Sequence, residues 1–416
     1  MMAKRSLLWL LQPMAAILLW GCSSDEVVEE ASSDVLITYQ ASTDNVATRG
    51  ETITSTESFA TNGRTFKIWG WMTDDLGTGT HPMTSDFNSH PLTAVDVTYT
   101  TANGWTTSEK FYWPRPRYRA DFYAIYPPET VTSFTTDSKT ITYTSTNGFD
   151  GNTDLMYATY SGQRPDKMVG QKRKEVSLTF HHAMTQILFY GKLSPDLNAW
   201  GWTVEVRDIT IYNAKSGGTF TFEPYDADKV TKPEAMTFSL GSATTPYSPT
   251  MNITTPATAI KIDKTSMGDN SEVLLTSPLM LLPQALAEWD SDTEKSGTTK
   301  PVTSGGYLAI SLRAIDNSGA YPLQADGGFV TVFAPFGSPS TTVTPDPDPV
   351  NDPDPAPVTT YNPWLAGTLY KYILTFGVGK SAGGNDVYQP ISIEAAIAPW
   401  IEATPVSGDI SRRKFE

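Results

Sequence analysis

Short runs of β-branched and aromatic residues that change face at every step constrain this chain more than any other feature. In YLAISLRAI, Leu308, Ile310 and Leu312 point one way and Ala309, Ser311 and Arg313 the other, which is the period of a strand with one buried face. RTFKIWGWM, DFYAIYP, KTITYTS, EVSLTF, TQILFYGKL, WTVEVRDITIYNA, GTFTFEP, FVTVFAP, LYKYILTFGVG and PISIEAAI share that texture, and Gly, Pro, Asn, Asp, Ser and Thr divide them. Strands of this length at short spacing predict an all-β chain of antiparallel sheets packed as sandwiches. Helical periodicity is poor: only PLMLLPQALAEW, Pro278–Trp289, offers a turn or two.

At 416 residues the chain is long enough to bury two cores. The polar, basic stretch YSGQRPDKMVGQKRK, Tyr160–Lys174, suggests the division, with an N-terminal sandwich over 50–170 and a C-terminal one over 171–416. Inside the second, TPDPDPVNDPDPAPV (344–358) repeats proline, which favours extended polyproline geometry and cannot pair within a sheet, so an exposed loop is expected. A calcium site from its aspartates would need several oxygens converging on one point. A stiff, solvated loop is the simpler reading.

The N-terminus speaks to address. Lys4 and Arg5 precede an apolar run from Leu7 to Trp20, broken only by Gln12 and Pro13. That run is shorter than the roughly 20 residues of a spanning helix and fits a secretory signal peptide over 1–21. Cys22 follows it, the single cysteine of the sequence, so no intrachain disulfide is available. Leu19-Trp20-Gly21-Cys22 is similar to the bacterial lipobox, departing from it at Trp20, and the similarity implies lipidation of Cys22. Acyl chains such as palmitate contribute about 0.8 kcal/mol per buried methylene and would hold the precursor on a membrane. SSDEVVEE, which follows, is similar to the acidic tract that sends lipoproteins to the cell surface. The balance of 30 basic and 45 acidic residues, −15 overall, argues against nucleic acid as a partner and suits a protein kept soluble outside a cell.

Catalytic signatures are missing from the sequence. It has no G-x-S-x-G elbow, no phosphate-cradling glycine loop and no H-E-x-x-H. The reading is therefore not an enzyme, with no catalytic residues, no cofactor and no metal. His181 and His182 fall on opposite faces of a strand, poor geometry for a shared metal, and read as structural histidines. Trp69, Trp71, Trp105, Trp113, Trp200, Trp202, Trp289, Trp364 and Trp400 follow the leader. Most tryptophans in β-folds pack in cores, but exposed ones can stack on sugars. A glycan-binding surface lipoprotein, with Trp69 and Trp71 as the sugar-stacking pair, is the alternative function.

Several motifs in order resemble the fimbrillin (Mfa-like, FimA-like) family. They are YWPRPRYRADFYAIYPP (Tyr112–Pro128), NTDLMYATYSG followed by KEVSLTFHHAMTQILF, and the closing YNPWLAGTLYKYILTFG and ISIEAAIAPW. The resemblance implies two transthyretin-like sandwiches in tandem and assembly into type V pili by strand exchange. It also implies a surface fimbria, other pilin subunits as partners, and a host or bacterial surface glycan or protein as an adhesion target. In that scheme a proteinase removes the first strand and a neighbouring subunit's strand fills the groove, main-chain bonds giving affinity and alternate side chains giving register. SDVLITYQAST (Ser33–Thr43) suits the removable strand, with Val35, Ile37 and Tyr39 on one face and Leu36, Thr38 and Gln40 on the other. Six residues on comes Arg49, before Gly50, and the resemblance implies cleavage between them, so 22–49 is a lipidated propeptide. The segment 401–416 carries only Ile401, Val406, Ile410 and Phe415 as sparse apolar positions, a mediocre donor strand, and stalk, tip and anchor roles stay open.

Overall fold

The computed structural model describes residues 35–43, 59–74, 80–82, 94–113, 118–128, 133–135, 140–144, 151, 153–163, 173–221, 237–255, 257–268, 272–289, 305–319, 328–343, 358–377 and 391–399. The first half contains β1 (Leu36–Thr43), β2 (Thr65–Asp74), β3 (Thr80–Pro82), β4 (Val95–Thr100), β5 (Gly104–Thr107), β6 (Tyr118–Tyr126), β7 (Ser133–Thr135), β8 (Thr140–Thr144), β9 (Met156–Gln163) and β10 (Arg173–His182). The second half begins with β11 (Thr185–Leu193), β12 (Thr203–Tyr212), β13 (Gly217–Thr221), β14 (Thr237–Leu240), β15 (Ile260–Ile262), β16 (Val273–Leu274) and β17 (Leu279–Leu281). It closes with β18 (Tyr307–Ile315), β19 (Val330–Pro335), β20 (Ser340–Val343), β21 (Val358–Tyr361), β22 (Thr368–Phe376) and β23 (Ile391–Pro399). The chain is all-β, as its alternation predicts.

Among the described residues, the short helices α1 (Pro195–Ala199) and α2 (Lys264–Met267) interrupt the strands. Each begins at a cap: the Ser194 hydroxyl accepts from the Leu197 amide with Pro195 at the first helical position, and Asp263 and Ser266 form a reciprocal capping box. Pro278–Trp289 forms no helix. Leu279, Met280, Leu281 and Leu282 are all buried there and β17 pairs with β11, so apolar burial on a sheet edge outcompetes a turn that Pro283 would break.

The N-terminal sheet closes on itself. Its hydrogen-bonded path runs β2-β4-β5-β1-β10-β9-β6, and β6 returns to β2, with β3 on the outer edge of β2. β2 can close the ring because its two edges serve different partners: Thr65–Ile68 pair with β4 while Lys67–Asp74 pair with β6. Its faces are divided as well. Phe66 and Ile68 enter the first core, and Trp69 enters the second. Two joints in the ring are thin. β5 meets β1 through the single pair Tyr39–Trp105, and β10 meets β9 only through His181–Tyr157 and His182–Met156.

The second core lies between two four-strand paths, β16-β11-β22-β23 and β15-β12-β18-β19. Ile187, Phe189, Tyr372 and Leu374 face Val206, Ile209, Ile211, Leu308 and Ile310 within it, and Tyr123, Ile125 and Leu155 from the first half join them. Gly191 is required by this close approach, since a Cβ there would stand 2.5 Å from Ile262 Cδ1. A further sheet, β14-β13-β8-β7, pairs segments from both halves.

Candidate functional site: the first strand and its groove

β1 lies in the middle of the N-terminal ring. Along it Val35, Ile37, Tyr39, Ala41 and Thr43 are buried, Leu36, Thr38 and Ser42 are half-buried and Gln40 is exposed. The face that alternation assigns to Val35, Ile37 and Tyr39 is thus the one that enters the core, and it extends two positions further than the three residues named from sequence. Ala41 and Thr43 continue the same period, so the signal was available.

One wall of the groove is β10. The two strands run parallel in unbroken register from Leu36–Arg173 to Thr43–Phe180, and the Ser42 hydroxyl donates to the Leu178 carbonyl at 3.4 Å. Among the described residues, Arg173–Phe180 of β10 have no other ladder partner, because β9 touches β10 only at His181 and His182. The opposite wall is an antiparallel approach. The Ile37 amide donates to Phe111 O and the Trp113 amide to Val35 O, both at 2.8 Å. A parallel pair between strands separated by so much sequence is unusual for an otherwise antiparallel sheet.

The floor is apolar and aromatic. Phe59 sits 5.2 Å from Trp105 and 4.8 Å from Phe180, ring centre to ring centre, and Phe66 sits 5.0 and 5.1 Å from the same two rings. Val176, Leu178 and Phe180 are buried on β10. At the N-terminal end of β1, Trp113 spans the groove. Its indole Nε1 donates to Lys174 O at 2.9 Å, and the Lys174 ammonium lies 4.3 Å from the ring centre, a cation–π contact. Burial pushes the Lys174 pKa below the usual ammonium range.

Two polar atoms in the groove have no hydrogen-bond partner among the described residues, the Tyr39 hydroxyl and Thr43 Oγ1. Tyr39 is 7% exposed and Thr43 5%, and burial drives the Tyr39 hydroxyl pKa above the usual phenol range.

Cys22, Arg49 and Gly50 lie outside the described residues, as do the proline-rich segment 344–357 and residues 401–416. Within the described residues β1 ends at Thr43, six positions before Arg49.

The histidine pair splits as alternation requires. His181 is half-buried, 5.7 Å from the Tyr157 ring. His182 is buried and its Nδ1 meets the Asp154 carboxylate at 2.9 Å. Burial raises the Asp154 pKa, and His182 acts in the opposite direction. Among the described residues no group of three or more His, Cys, Asp or Glu could hold a metal ion, and no helix is long and apolar enough to cross a membrane. Of the tryptophans, Trp69 is buried at 2% exposure, which removes half of the stacking pair considered from sequence, and Trp200 is exposed at 61%.

Comparison with known proteins gives one family. Residues 48–400 match a model described as fimbrillin-like. No curated protein matches the chain. Among solved structures, a fimbrial protein from Bacteroides vulgatus aligns with a TM-score of 0.50 and 17% identity, over 88% of this chain and 99% of its own. A putative cell adhesion protein from Bacteroides uniformis aligns at 0.39 and 15%, over 89% and 99%, and the tip fimbrial protein Mfa3 from Porphyromonas gingivalis at 0.33 and 9%, over 88% and 100%.

Proposed function

The chain belongs to the fimbrillin-like family, which is not a family of enzymes, and from that premise we propose that it is a fimbrial subunit of the cell surface, matured by losing its first strand. Export uses the leader over 1–21, lipid on Cys22 holds the precursor at the outer membrane, and cleavage after Arg49 leaves Gly50 as the new terminus. A strand from a neighbouring subunit then takes the place of β1, joining subunits into a pilus with an adhesive role. The body is two sandwich domains in tandem, a reading supported by the two separate hydrophobic cores.

The observation that carries the proposal is the seat of β1. A strand that contributes five alternate buried positions, from Val35 to Thr43, is connected to the rest of its sheet through a stretch that includes Arg49. Cutting there leaves it held by non-covalent contacts alone, and its departure exposes a row of main-chain groups and apolar pockets ready for another strand. Covering that edge until assembly is what keeps such a surface from aggregating.

Mass spectrometry of assembled fibres tests the scheme. Gly50 is the expected first residue. Incorporated protein that still begins at acylated Cys22 would defeat the exchange reading and make this an anchor subunit. The glycan-binding alternative, made on Trp69 and Trp71, keeps Trp71 and gains the exposed Trp200, and Trp71→Ala and Trp200→Ala variants that both leave adhesion to glycan-coated surfaces unchanged would remove it.

A further inference from the structure

We infer that β1 is an imperfect occupant of its own groove, and that the groove favours an extended segment whose inward residues run aliphatic, aliphatic, phenylalanine, alanine, valine. The segment would lie parallel to β10, and it takes over the position of β1 in the strand exchange proposed above, on which this identification of the partner rests.

Five inward positions define the seat. Val35, Ile37 and Ala41 are apolar and buried, and they match an apolar groove. Tyr39 and Thr43 are buried as well but bring hydroxyls that find no partner among the described residues. A buried hydroxyl without a hydrogen bond loses its water and gains nothing in exchange, whereas removing the polar atom while keeping the shape is neutral or stabilising. Phenylalanine is that replacement for Tyr39, and valine for Thr43. Both hydroxyls regain water when β1 leaves, so the two positions favour release. Ala41 is buried too, and a larger side chain there would have to displace its neighbours, which keeps the fourth position small. The order of sizes sets its polarity: the large third position precedes the small fourth one, in a strand that runs from Arg173 towards Phe180 of β10.

Residues 401–416 do not carry this pattern. Ile401 and Val406 are an odd number of positions apart, as are Ile410 and Phe415, so each pair splits between faces, and Gly408 separates Val406 from Ile410. A second copy of that segment is therefore the weaker occupant.

Two measurements test the inference. In the uncut full chain, Tyr39→Phe and Thr43→Val should each raise the melting temperature by about 1–4 °C. A fall with either variant overturns the imperfect seat. In protein nicked after Arg49 with β1 still in place, peptides are added to compete with fluorescently labelled β1. A peptide of the Val35–Thr43 sequence carrying both substitutions should displace it at a concentration about fivefold or more below that of the unsubstituted peptide. Equal potency overturns the inference, and so does a 401–416 peptide as potent as the substituted one. If no peptide displaces β1 while both variants raise the melting temperature, the imperfect seat stands and the exchange scheme falls.

Discussion

Among the described residues two pairs of strands run parallel, β1 beside β10 and β11 beside β22, and β1 and β11 are held in opposite ways. β11 follows β10 after two residues, Ala183 and Met184, so it is continuous with the ring at one end. It is buried on both faces through most of its length, and it carries antiparallel partners in β16 and β17 as well as β22. β1 has one buried face, one complete ladder and a thin contact with β5. A strand fixed by both faces and both edges cannot leave without dismantling a core. One that relies on a single face and a single complete ladder has far less to break.

The sharpest way to break the comparison is through the cores. Phe189→Ala empties a fully buried site on β11, with Phe336 and Tyr372 centred 5.7 and 5.9 Å away, and should cost about 3–5 kcal/mol in urea unfolding. Ile37→Ala on β1 should cost about 2–4 kcal/mol in the uncut chain. In the chain nicked after Arg49 the same change should show instead as faster loss of β1 on size exclusion. Hydrogen exchange sharpens this further. Release of β1 should strip protection from 173–180, whose described ladder bonds all go to β1, and leave 186–193 and 369–376 protected. Equal loss in both segments would mean that the two strands are not the different elements described here. Trp113→Phe removes the indole bond to Lys174 O and should cost about 1 kcal/mol, read as a modest rise in the rate at which nicked β1 escapes.

The smallest effect is a pH dependence at the junction of β10 and β11, where His182 ends β10. Burial raises the Asp154 pKa above its ordinary 3.8, so the unfolded chain releases this proton first as pH rises. The contribution of Asp154 to stability is therefore complete below that value and is lost as pH rises through its folded pKa. An Asp154→Asn variant lacks this slope. Urea midpoints measured from pH 4 to pH 7 should fall in the parent relative to the variant, and parallel midpoints would refute the assignment.

Much of this was legible in the sequence because alternation is a local signal. The buried faces of β1 and β18, the opposite placement of His181 and His182, and the all-β class follow from period two. Partners were not legible, since pairing across long separations leaves no local trace. Nothing in VLITYQAST announces a parallel run beside RKEVSLTF, nothing in RTFKIWGWM reveals that Phe66 and Trp69 serve different cores, and Asp154 lies 28 residues from the histidine it holds. Trp113 could be read as a core aromatic, but its reach across a groove depends on which strands flank it. The caps at Ser194 and Asp263 could have been found, as Ser-Pro and Asp-x-x-Ser are local signatures.

The register between Leu36 and Thr43 also bears on load. Tension applied along the axis of β1, or of any strand in its place, reaches the ladder with β10 in shear, so that bonds along all eight paired positions share the force together. Under the proposed exchange, a strand replaced end-first, one residue at a time, would still resist being pulled straight out.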